Sequence, residues 1–139
     1  MAITIQMLLV NVIIALLTIQ SAARPPPPKG VYSKVLDDIT VEATFGEPDD
    51  VDLPLILGYK CGQEDWRYSE DLKVKKTGFD IFNIDGGSLG IYRQFLVSVR
   101  LNCPRFQLQE PDLQEFIYFA SSHIIQTKVL GKFTTLVKA

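Results

Sequence analysis

From residue 31 onward one pattern keeps returning: a short apolar run, a break at glycine, proline or charged residues, then another short run. Ile39, Val41, Ala43 and Phe45 alternate with Thr40, Glu42 and Thr44, which puts the apolar side chains on one face of an extended strand. Residues 46–52 are acidic and turn-rich and read as a loop. Residues 53–60 form a second apolar run, with Pro54 marking an edge or a strand end. Further strands are expected at 79–82, 115–120, 124–130 and 133–137. Gly86 and Gly87 supply a turn, and Ser121, Ser122 and His123 a hairpin-like loop. The longest expected strand is 89–101. It has Ile91, Phe95, Val97, Val99 and Leu101 on one face, interrupted by Arg93, and Tyr92, Gln94, Leu96, Ser98 and Arg100 on the other.

One helix is expected, beginning at Ser69. A serine cap followed by Glu70 and Asp71 suits the positive end of a helix dipole, and Lys73, Lys75 and Lys76 suit its negative end. Gly78 would end it, and Tyr68, Leu72 and Phe79 would form its apolar side. The expected fold class is therefore α+β, one short helix packed on an antiparallel β-sheet.

The first 23 residues belong to a different register. Residues 7–17 are a short apolar run broken by Asn11, below the roughly 20 residues a membrane helix needs. Ser21 and Ala23 stand where signal peptidase wants small residues, so 1–23 is expected to be a signal peptide and the chain to be secreted. Residues 24–30, with Pro25 to Pro28, read as a stiff proline-rich linker, and 31–139 as one domain. With the leader removed, no membrane segment is expected.

Cys61 and Cys103 are the two cysteines, and an even count in an exported chain favours one disulfide between them. One histidine and two distant cysteines make no metal-ligand set, and no cofactor motif occurs. The net charge of −2 argues against holding nucleic acid by bulk electrostatics. Charge is nevertheless uneven. Residues 42–71 are acidic apart from Lys60 and Arg67, whereas 73–105 carry Lys73, Lys75, Lys76, Arg93, Arg100 and Arg105 against Asp80 and Asp85.

Tyr59-Lys60-Cys61, a Tyr-x-Cys motif, then the serine-capped segment, then the run of strands that includes 111–119, resemble the ribonuclease-like secreted effectors of powdery-mildew fungi. The resemblance spans roughly 57–130. It implies a fold similar to that of guanyl-specific fungal ribonucleases, and a catalytically inactive virulence protein that acts after delivery into a plant cell, binding host RNA or a host protein to suppress plant defence. In that family the motif cysteine pairs with one in a late polar turn. Here that turn holds His123, and the second cysteine is Cys103.

Metal-independent RNA cleavage needs a base, an acid and a cation for the phosphate. Glu115, His123 and Arg100 are the candidates, but Glu115 alternates with Phe116 and His123 falls in a loop, so no catalytic set is expected. Tyr92, Gln94, Arg100 and Tyr118 are the expected RNA- or partner-binding residues, two aromatic platforms with a cation and an amide on one sheet face. The competing reading is an ordinary solvated sheet face. A monomer is expected. Two other functions fit less of the sequence: an active secreted ribonuclease, and a cystatin-type protease inhibitor, for which residues 93–98 lack the glycine of the inhibitory Gln-x-Val-x-Gly turn.

Overall fold

The computed structural model describes residues 26–49 and 52–139. The expected signal peptide and the first two linker residues lie outside the described residues. Among the described residues, nine strands and one α-helix form the fold. The strands are β1 (Gly30–Leu36), β2 (Ile39–Phe45), β3 (Leu53–Cys61), β4 (Arg67–Tyr68), β5 (Leu72–Gly78), β6 (Ile81–Ile84), β7 (Glu115–Phe119), β8 (Ile124–Val129) and β9 (Lys132–Lys138). The helix, α1, is Leu89–Asn102, between β6 and β7.

Every pairing is antiparallel, and the sheet closes on itself. The order runs β2-β1-β9-β8-β7-β6-β5-β3, and β3 pairs back onto β2. The result is an eight-stranded barrel, with β4 attached to β3 beyond the start of β5. Eight strands enclose a lumen just wide enough for side chains to fill. Here they fill it. Tyr118 meets Tyr32 edge to face, Tyr32 meets Phe45, and Phe45 meets Phe116, with ring centroids 6.3, 5.9 and 5.6 Å apart. These contacts run from β7 to β1 and β2 on the opposite wall and back. Leu55, Leu57, Ile125 and Leu136 complete an interior from which solvent is excluded.

The alternation read from 39–45 matches β2, where Ile39, Val41, Ala43 and Phe45 are buried and their neighbours half-exposed. The runs at 53–60, 115–120, 124–130 and 133–137 likewise fall on β3, β7, β8 and β9. One α-helix with an antiparallel sheet is also what the described residues form. Two local expectations are corrected. The segment after Ser69 is strand β5, because Leu72 and Val74 alternate with Lys73 and Lys75 at period two and face the lumen. Ser69 caps nothing: its hydroxyl oxygen accepts from the Leu57 amide, and its own amide donates to the Leu57 carbonyl. The segment 89–101 is α1, not a strand. Tyr92, Phe95, Leu96 and Val99 recur at helical spacing and are buried, while Arg93, Gln94, Val97 and Leu101 are exposed. Asp85 starts it by accepting from the Gly87 amide in the 3₁₀ turn that precedes the helix.

The helix and the 103–114 segment cover one end of the barrel, the end bearing the β1–β2 and β8–β9 turns and the last residues of β3. Tyr59 reaches from β3 to the helix, its hydroxyl 2.6 Å from the Ser98 hydroxyl and accepting from Asn102 at 2.9 Å. Its ring packs edge to face on Phe95. The Ser88 hydroxyl accepts from the Lys73 amide of β5. Asp112, 3 % exposed, accepts from the amides of Gln109 and Gly131 and so ties the returning segment to the β8–β9 turn. Arg105 pairs with Asp38 in the β1–β2 turn at 3.0 Å. The expected disulfide is present: Cys61, at the end of β3, is bonded to Cys103, the residue after the helix, with Cα atoms 5.8 Å apart. Closing 42 residues this way contributes about 4 kcal/mol in the chain-entropy account. Among the described residues no helix is long and apolar enough to cross a membrane.

Candidate interaction surface

The four residues expected to share a binding face do not share one. Tyr92 is fully buried in α1, and its hydroxyl donates to the Asp112 carbonyl at 2.6 Å. Burial raises its phenol far above the ordinary value, with the nearby Glu110 and Asp112 carboxylates adding to the effect. Tyr118 faces the lumen and is 6 % exposed. Arg100 is half-buried, and its guanidinium donates to the Leu108 carbonyl. Gln94 alone is open to solvent. A helix turns 100° per residue, so residues assigned to one face of a strand scatter around its circumference. The packing of Tyr92 and Arg100 is structural: both hold the 103–114 segment.

The candidate cleavage residues are also spread out. Glu115 is the first residue of β7 and lies on its outer side near the Asn83 amide. His123 follows the other end of that strand, exposed in a left-handed turn with φ 51°. Four steps of β7 alone amount to about 13 Å. Arg100 belongs to the helix at the covered end. Among the described residues no three His, Cys, Asp or Glu side chains are grouped so as to hold a metal ion. A surface cleft of about 360 Å³ opens between 107–112 and the β8–β9 turn. Both oxygens of its buried Asp112 are already occupied by backbone amides, so the carboxylate serves the fold.

The outer wall at β3 and β4 is different. Strand alternation turns Tyr59 inward, and hence Gly58 and its partner Tyr68 outward. Tyr68 lies directly on Gly58: a Cβ there would stand 2.9 Å from two ring carbons of the tyrosine. Only glycine leaves room for the ring. The two Ser69–Leu57 hydrogen bonds hold the segment against β3. Trp66 stacks on Tyr68 with ring centroids 6.0 Å apart and planes 14° from parallel. Tyr68 stays 57 % exposed over the half-buried Trp66, so its ring is presented to solvent rather than spent on the core.

Two carboxylates precede this pair and two follow it. Glu64, Asp65, Glu70 and Asp71 are all exposed, and among the described residues none of them forms an ion pair. Lys60, Arg67 and Lys73 are the nearby cations in sequence, one fewer than the carboxylates, which leaves the surroundings net negative. The faces of aromatic rings are electron-rich, so rings and carboxylates here favour the same sign of partner. Sequence reasoning missed this surface by assigning Tyr68 to the apolar side of a helix. The signal was nonetheless present: a tryptophan and a tyrosine two residues apart, the spacing that places both on one side of a strand.

Comparison with protein-family models, with curated proteins and with solved structures finds no match to this chain. What the fold and the surface define is a class: a small, disulfide-tied antiparallel barrel with a filled interior and an aromatic pair on its outer wall.

Proposed function

We propose that this chain is an exported, non-catalytic binding protein that engages a protein partner through Trp66 and Tyr68. The observation that carries the reading is the exposed Tyr68 ring, seated on Gly58 and stacked on the half-buried Trp66, in a barrel whose lumen is occupied by its own side chains. With the interior filled, a ligand meets the outer surface, and tryptophan and tyrosine are the residues most enriched where protein interfaces concentrate their binding energy. Export is the sequence's contribution, through residues 1–23, and the disulfide suits an oxidising route. A secreted effector acting on a host protein is one protein of this kind. The ribonuclease-like part of that resemblance gains no support from the order of elements, since six strands precede the helix.

A protein is preferred to RNA on charge. Phosphates approaching the ring pair would meet Glu64, Asp65, Glu70 and Asp71. The test is a gel shift of the secreted protein with labelled single-stranded and structured RNA over a salt series. No shift is expected even at low salt. An intact shifted band that weakens with salt and is lost in Tyr68→Ala would overturn the preference and make the platform an RNA site.

A further inference from the structure

Building on that binding reading, we infer that the segment received at Trp66 and Tyr68 carries arginine or lysine, with its cation placed over the ring pair. Three observations converge. The rings are stacked, Tyr68 exposed and Trp66 half-buried, and cations bind ring faces most strongly at tryptophan and tyrosine. The four flanking carboxylates stand unpaired among the described residues, whereas Asp38, Asp52, Asp85 and Glu110 each have a cation of this chain. Residues 64–71 therefore keep a net charge of −3, with no ion pair among the described residues. Finally, Arg67 opposes the inward-facing Tyr59 across the β3–β4 pair. Alternation puts it on the other side of the strand from the rings, so the chain's own guanidinium does not occupy the place proposed for the ligand's. Guanidinium suits the site better than ammonium, because its flat, weakly hydrated surface stacks on a ring while its donors reach carboxylates.

Trp66 is the chain's one tryptophan, so its emission reports directly on the site. The full secreted protein is titrated with four probes: a glycine–serine peptide bearing arginines, the same peptide with lysines, with glutamates, and with no charge. The arginine peptide is expected to give a saturable change that weakens in about 0.5 M salt, where screening acts over only a few ångströms. The lysine peptide should bind more weakly, and the acidic and uncharged peptides not at all. Tyr68→Ala keeps the fluorophore and should weaken arginine-peptide binding about fivefold, the value of a modest cation–π contact. Neutralising the carboxylates together (Glu64→Gln, Asp65→Asn, Glu70→Gln, Asp71→Asn) should weaken it by about tenfold or more. All four are exposed, so this variant is expected to fold, as circular dichroism would verify. An arginine peptide that leaves the emission unchanged, or that binds the neutralised variant equally well, overturns the inference. In that case, binding of the uncharged peptide that depends on Tyr68 would leave the platform standing as a protein-binding surface. Silence towards every probe would remove the binding reading as well.

Discussion

Gly58→Ala separates a ring that is seated by design of the backbone from one that merely rests on the surface. The new methyl would lie 2.9 Å from Cδ1 and Cε1 of Tyr68, a distance real Cβ atoms do not tolerate. Gly58 is buried in the middle of β3 and paired with Glu42 on its other side, so the strand is held by neighbours and the ring has to move. Lifting Tyr68 forfeits its contact with β3 and its stack on Trp66, about 0.5–1.5 kcal/mol for the aromatic pair beyond the area lost. Against that, alanine restricts the unfolded chain more than glycine does, which returns about 0.5 kcal/mol where the backbone conformation allows it. The single variant should therefore lose about 1 kcal/mol. In a Tyr68→Ala background the clash is gone, and the same change should be neutral or slightly stabilising. The coupling energy between the two positions is then about 1–2 kcal/mol. Urea unfolding followed by far-ultraviolet circular dichroism measures all four corners of the cycle without relying on Trp66, whose emission should itself change in Gly58→Ala. Equal costs in the two backgrounds would refute the argument, since Tyr68 would then not be what the methyl meets.

Two further measurements bear on the rest of the fold. Replacing both Cys61 and Cys103 by serine should cost about 4 kcal/mol of stability, less any strain released, and reduction of the native protein should lower its urea midpoint by a matching amount; an unchanged midpoint would mean that the bond constrains nothing. Burial pushes the Tyr32 phenol up to about 12, and Tyr92 is raised too, so both remain protonated in the folded chain at a pH where the unfolded chain ionises them. The folded state then binds more protons, and stability is complete below about pH 10 and falls as pH rises towards 12, by up to about 1.4 kcal/mol per pH unit for each tyrosine. A flat unfolding free energy over that window would show the two phenols to be solvated.

Most of the barrel wall was legible because a strand facing a filled lumen on one side and solvent on the other must alternate. Residues 39–45 do so without exception. Which strands become neighbours was not legible, because alternation fixes faces and leaves partners open. The two misassigned segments share a cause. In 69–78 the capping serine and the charge gradient describe a good helix, but the Ser69 hydroxyl and amide are both engaged by Leu57, a partner twelve residues away. In 89–101 the aromatic and β-branched residues favour a strand locally, yet burial of Tyr92, Phe95, Leu96 and Val99 against the barrel end selects the helix. The interaction surface was lost with the first of these. β4 is only two residues long, so the Trp66–Tyr68 spacing is its single sign in the sequence, and the need for glycine at 58 exists only once Tyr68 lies over it.

The barrel is joined at one seam. β1 meets β9 through two residue pairs, Tyr32 with Lys138 and Ser33 with Val137, which bring together opposite ends of the described sequence. Every wall contact outside β9 can form before that strand is in place, but this seam and the β8–β9 pairing wait for it. Until then β1 and β8 each keep one unpaired edge, and Tyr32, which crosses the lumen to Tyr118, lies on a strand held by β2 alone. Contacts this distant along the chain are slow to form. Completion of the ring thus waits for β9, and loss of the residues after Thr135 would remove both pairs that join it to β1.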